Sequence, residues 1–203
     1  QGMVRNLIAG VEFIYQHRLL KLVVLLTLLH CSLTMAFESL IPVLSRQHWG
    51  TGEAGFAYIM MAVGAGALAT VVAIAGVQTE RARGRLLPWF GVASGFGSLG
   101  LALSGNLPVA LAAAAIMGGA HAGFMTLVLV IIQSIVPDGI RGRVSSIYLL
   151  HVGGMMALFN LINGNLAEVF NAPVVLGTAG ALFVLVMAVS LLWAPLRRLY
   201  RSG

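Results

Sequence analysis

The chain has 203 residues, 59% of them hydrophobic and only 9% charged, with a mean hydropathy of +0.96. A soluble domain carries about 25% charged residues, so the composition excludes a soluble enzyme, a nucleic-acid-binding module and a disordered chain. A net charge of +6 would suit nucleic acid, but the positions of the cations give them another role.

The elements follow in chain order. Val4, Leu7, Ile8, Val11 and Ile14 recur at helical spacing, with Arg5, Glu12 and Gln16 on the opposite face. This pattern predicts a short amphipathic helix over residues 1–18, lying on the membrane surface as a linker. Six runs then read as membrane spans: Leu19–Leu44, Ala54–Val77, Leu86–Leu103, Pro108–Ile135, Val144–Ala167 and Pro173–Leu196. A bilayer crossing needs about 20 mostly apolar residues, and Ser104 to Pro108 divides the longest uncharged stretch with a turn signal. Strand alternation is absent. The expected fold is therefore all-α, with a six-helix transmembrane domain over residues 19–196 and a basic tail over 197–203.

Eleven of the twelve Arg and Lys residues fall at one end of this arrangement, and Arg46 alone falls at the other. That bias predicts that both termini and the basic loops are cytoplasmic. Tyr15, Trp89, Tyr148, Trp193 and Tyr200 are then expected at the cytoplasmic interface, and Trp49 and Tyr58 at the outer one. No cleavable signal peptide is visible. The chain opens on Gln, which suggests a processed product or a piece of a longer chain. Cys31 is the lone cysteine, so no disulfide framework or CxxC site exists.

Polar groups inside spans usually face protein or a water-filled path. In the first span Thr27, His30, Cys31, Thr34 and Glu38 fall within about 100° of one another on a regular helix. Such a stripe fits a cavity wall, with Glu38 receiving a proton or a cationic substrate; the plainer alternative is an outer-interface carboxylate among headgroups. In the fourth span Met117 and Met125 share a face with His121, which suits an adaptable apolar site or a hydrogen bond to a neighbouring helix. Asn160 and Asn163 share a face of the fifth span, as interhelical glue or a substrate contact. The histidines have no metal-ligand spacing. Gly91-x-x-x-Gly95, Gly119-x-x-x-Gly123, the Ala62/Gly66 pair and the Gly177/Ala181 pair mark close helix crossings. Gly95-x-Gly97-x-x-Gly100 matches a dinucleotide fingerprint only by accident, because it lies inside a span with no preceding strand. No nucleophile motif, phosphate loop or cofactor motif is present.

Two basic loops carry further pattern. One runs from Gly76 through Glu80, Arg81, Arg83 and Gly84 to Arg85; the other joins Pro137 and Asp138 to Arg141 and Arg143. An acid beside arginines can lock helix ends through charge-assisted bonds that break when helices move; simple anchoring of the helix ends is the alternative. The first loop resembles the G-x-x-x-D/E-R-x-G-R-R/K loop of the major facilitator superfamily. Gly76, Glu80 and Arg81 are in register with it, while Gly84 and Arg85 come one place late. The stretches PDGIRGRVSSIY (Pro137 to Tyr148), VEFIYQHRLLKLVVLL (Val11 to Leu26) and Asn160 to Glu168 resemble the branch of enterobactin-type exporters and multidrug efflux proteins.

The resemblance covers nearly the whole chain but only the second six-helix half of such a transporter. It implies a 3+3 inverted repeat, with spans one and four at the cavity, two and five at the half–half interface, and three and six facing lipid. It further implies proton-driven export of small apolar or amphipathic molecules by alternating access, with the basic loops as cytoplasmic gates. The expected partners are the bilayer, an N-terminal six-helix half or a second copy, a small-molecule substrate and protons; nucleic acid is not among them. A natural six-span half-transporter and a non-transport membrane scaffold or enzyme are the alternatives.

Overall fold

A computed structural model describes residues 10–202, with side chains through Tyr200. Val4, Arg5, Leu7 and Ile8 of the expected amphipathic helix lie outside the described residues. Residues 10–16 are helical, and the chain breaks at His17, whose backbone is extended. The helices that follow are α1 (Arg18–His30), α2 (Gly52–Ile74), α3 (Glu80–Ala102), α4 (Leu107–Ile135), α5 (Asp138–Phe170), α6 (Ala172–Ser190) and α7 (Ala194–Ser202).

The first expected span is not one helix. After His30 the chain widens into a π-turn, Cys31–Met35, and residues 36–40 form turns. A short helix, Ile41–Val43, and a second π-turn, Leu44–His48, complete the crossing. Pro42 supplies a physical reason. It has no N–H to donate, and its ring clashes with the carbonyl four residues back, at Glu38.

Both basic loops are shorter than expected, because the helices begin inside them. Thr79 caps α3, its hydroxyl accepting from the Ala82 N–H at 3.3 Å. Glu80, Arg81 and Arg85 therefore sit on the first turns of α3, leaving only a few residues around Gly76 as loop. Asp138, Arg141 and Arg143 likewise open α5, which follows Pro137 directly. The basic tail is helical rather than free: α7 packs on α3 and buries Leu196 and Tyr200. The Ser190 Oγ and Tyr200 hydroxyl lie 3.1 Å apart. Burial raises the phenol of Tyr200 above its usual range.

Five segments among the described residues are long and apolar enough to cross a membrane: Arg18–Met35, α2, α4, α5 and α6. The count differs from the six expected at α3. This helix equals α2 in length, at 23 residues, but is far less apolar. Its buried face joins Gly84, Gly91, Ser94, Gly95, Gly97 and Ser98 to Leu87, Leu101 and Ala102, so it is clasped by protein rather than presented wholly to lipid. Trp89 and Phe96 alone of its large rings are strongly exposed, on the opposite side.

The packing centres on α4, which crosses α2 and α3, while α3 also packs on α6. Contact is backbone to backbone at two crossings. A Cβ on Gly66 would run into the Ala115 carbonyl of α4, and one on Gly118 into the Val63 carbonyl of α2. A Cβ on Gly95 or on Gly180 would lie 2.7–2.8 Å from the other's carbonyl oxygen. An inverted repeat pairs the α2–α4 crossing with one between α5 and α1. That second crossing exists but is much sparser, and α5 meets the π-turn as well as α1 itself.

The helix ends sort by charge. A cavity of about 430 Å³ is bounded by Leu19, Glu80, Arg83, Ser134 and Arg198, which brings the start of α1, the start of α3, the end of α4 and α7 to one end. At the other end the Trp49 indole N–H donates to the Ser104 carbonyl at 2.9 Å. Tyr148 and Tyr200, expected at the cytoplasmic interface, turn their rings into the bundle, at 3% and 6% exposure.

Candidate functional site

The polar stripe of α1 divides at the helix break. Thr27, His30, Cys31 and Thr34 are buried inside the bundle, whereas Glu38 is exposed on the far side of the π-turn. The 100° register that joined them holds only for a regular helix. The buried hydroxyls are satisfied locally: Thr27 donates to the Val23 carbonyl at 2.9 Å, Ser32 to Leu28 at 2.7 Å and Thr34 to His30 at 2.9 Å. Such back-bonding bends helices.

His30 is different. It is fully buried, and neither ring nitrogen has a hydrogen-bond partner. Its ring meets His121 of α4 edge to face, centroids 5.2 Å apart, and stacks on Phe124 at 4.2 Å. Phe183 of α6 closes the other side at 5.0 Å, and Phe37 approaches His121 at 5.8 Å. His121 is 5% exposed, and its Nε2 also has no partner. The structure thus joins two sequence candidates from different spans. The aromatic cage around them carried no sequence signal beyond the three-residue spacing of His121 and Phe124. Met117 is fully buried and approached by the Ser98 hydroxyl at 3.5 Å. Met125 faces elsewhere, toward the Tyr148 hydroxyl at 3.8 Å.

The two asparagines meet the broken segment. Asn163 donates from Nδ2 to the Ala36 carbonyl at 2.6 Å, and Asn160 accepts at Oδ1 from the Ser39 N–H at 3.1 Å. A helix break at membrane depth frees backbone groups that lipid cannot satisfy. The amides of α5 supply those partners. An apolar groove of about 360 Å³ runs beside them, lined by Ser32, Leu33, Phe159, Asn163, Phe170 and Leu182. His151 points away from this region and is exposed, its Nδ1–H donating to the Ile147 carbonyl at 2.7 Å.

At the basic end Asp138 and Arg141 form an ion pair within the first turn of α5, and Arg141 reaches the Val136 carbonyl at 3.4 Å. Arg83 donates to the Val77 carbonyl at 3.1 Å, fastening the α2–α3 turn. Gly76 has open space around it, and Glu80, Arg85 and Arg143 are exposed. Among the described residues no group of three or more His, Cys, Asp or Glu could hold a metal ion.

An interrupted first helix, bridged by polar side chains from a later one beside buried ionisable groups, is transporter architecture. A family profile described as transmembrane secretion effector matches residues 1–199. The chain belongs to that family. No curated protein and no solved structure matches it. The chain is an all-α, multi-pass membrane transporter of the major facilitator type.

Proposed function

We propose that the protein is a secondary active exporter of small apolar or amphipathic molecules, such as drugs or siderophores, driven by the proton gradient through alternating access. The observation that carries this reading is the interruption of α1 between Cys31 and Leu40, held by Asn160 and Asn163. Broken helices near the midplane mark transport sites because they free backbone groups and hinge without losing the whole helix. The apolar groove beside the break matches the chemistry of an apolar cargo. Short ion pairs at the basic end, such as Asp138–Arg141, supply contacts that a rocking motion makes and breaks.

α2 and α5 present broad apolar faces, including Met61, Leu68 and Val72 on one and Leu149, Leu150 and Leu161 on the other. In the proposed transporter these faces meet an N-terminal six-helix half, with the basic ends cytoplasmic in the inner membrane. The same faces favour a second reading, in which two copies pair. Detection of the native polypeptide with an antibody to the Arg197–Gly203 tail separates the two. A band near twice 21.3 kDa supports the longer chain, and one near 21.3 kDa the paired copies.

The export reading is tested in cells that lack the protein. They should accumulate an apolar fluorescent dye severalfold above cells that carry it, and a protonophore should remove the difference. Equal accumulation across a panel of apolar and amphipathic dyes would overturn it.

A further inference from the structure

We propose that His30 and His121 bind one proton between them, as a buried imidazole–imidazolium pair caged by Phe37, Phe124 and Phe183. Three ring nitrogens of the pair are enclosed without a partner. A neutral imidazole carries one N–H and one lone pair, so the enclosed pair holds a basic nitrogen with no donor assigned to it. The 5.2 Å between centroids is the spacing at which two imidazoles, after a ring rotation, join nitrogen to nitrogen through one hydrogen bond of about 2.9 Å.

Space selects the ligand. His30 touches Phe124 at 4.2 Å and Phe183 at 5.0 Å, and these two rings are themselves in contact at 6.1 Å. Contacts of that closeness leave no volume for a metal ion, a water or a cargo molecule between the rings. A proton needs none. Charge is met without a carboxylate: the faces of Phe124 and Phe183 attract a cation. Among the described residues no Asp, Glu, Lys or Arg is buried, and Glu38 lies exposed across the helix break. Of the other titratable groups, Cys31 follows His30 directly at the start of the π-turn, and Tyr148 of α5 lies near Cys31 and Thr27; α6 brings Phe183 against His30.

The proton enters from water at His121, which keeps 5% exposure, and passes to the N–H···N bond with the fully buried His30. The pair bridges α1, just before its π-turn, to α4. Taking up or releasing the proton therefore changes a bond between the two helices assigned to the transport path. That use in coupling rests on the export reading above; the proton binding itself does not.

Nitrogen-15 NMR of histidine-labelled protein in liposomes tests the site without any transport assay. Spectra are recorded between about pH 8 and about pH 4, the range that spans histidine protonation. The expected result is that His30 and His121 shift over one shared interval, with a single proton for the pair, as strongly coupled groups do. His121→Gln and His30→Gln assign the signals, and each should abolish the shared transition. Two rings that stay neutral throughout, or that titrate independently with one proton each, would overturn the proposal. If the pair takes its proton while export proves independent of the proton gradient, the proton site stands and the coupling reading falls.

Discussion

Asn163 has a structural role that a single substitution can expose. Its amide donates to the Ala36 carbonyl, a group freed by the break in α1, at 6% exposure where water is excluded. Removing the donor leaves a buried carbonyl unsatisfied, which costs about 1–3 kcal/mol. Asn163→Ala should therefore lower the melting temperature of the purified protein, while Asn165→Ala, whose side chain is exposed and bonds only within its own helix, should leave it nearly unchanged. Equal melting of the two variants would mean that the Asn163 bond does not hold the break, leaving Asn160 and packing to do so. At this scale the sequence was only partly readable. Residue type marked His30, His121, Asn160 and Asn163 as expensive in lipid and hence purposeful. Their partners were not legible, because a backbone carbonyl at Ala36 becomes a partner only once the helix breaks, and the phenylalanine cage forms from α4 and α6 in three dimensions. Glu38 shows the converse: periodicity placed it with the buried stripe, and one π-turn moved it out.

At the scale of elements, helix boundaries followed the uncharged runs closely for α2 and α4, since apolar length is a direct demand of the bilayer, whereas the run expected as the last span, Pro173–Leu196, divides, α6 ending at Ser190 and α7 starting at Ala194. They were missed at α3 and α5, whose first turns lie among Arg, Gly and Asp. Charged residues are tolerated at helix ends outside the hydrocarbon, and caps such as Thr79 set the start. The small-residue motifs translated directly into geometry. Gly66, Gly118 and Gly119 let α2 and α4 touch backbone to backbone, so this crossing has no slack. Gly118→Val should separate the helices, with a loss of about 1–3 kcal/mol from overpacking, read as reduced thermal stability of the detergent-solubilised protein. Gly105→Val, in the α3–α4 turn with open space around it, is the control and should be neutral. A neutral Gly118→Val would mean that the crossing is looser than its backbone contacts require.

For the whole molecule, charge and topology make a joint prediction. The starts of α1 and α3, the end of α4 and helix α7 share one end, and that end carries nearly all of the Arg and Lys. Arg46, paired with Glu53 at 3.5 Å, lies at the end where Trp49 meets Ser104. Retention of Arg and Lys on the cytoplasmic side orients such bundles, and an even number of crossings returns both termini to that side. The odd count of strongly apolar helices makes the test informative, because α3 is the one whose crossing is not dictated by hydropathy. With Cys31→Ser as background, a cysteine replacing exposed Gln47 should react with a membrane-impermeant thiol reagent in intact cells. A cysteine replacing Arg85 or Arg143 should react only after permeabilisation. If Arg143→Cys reacts from outside while Arg85→Cys does not, α3 fails to cross and the six-helix topology gives way to five. If all three react together from one side, the bundle does not span the membrane at all. Reactivity split as expected would place the break in α1, the histidine pair and the apolar groove between two aqueous compartments, the arrangement that an alternating-access exporter requires.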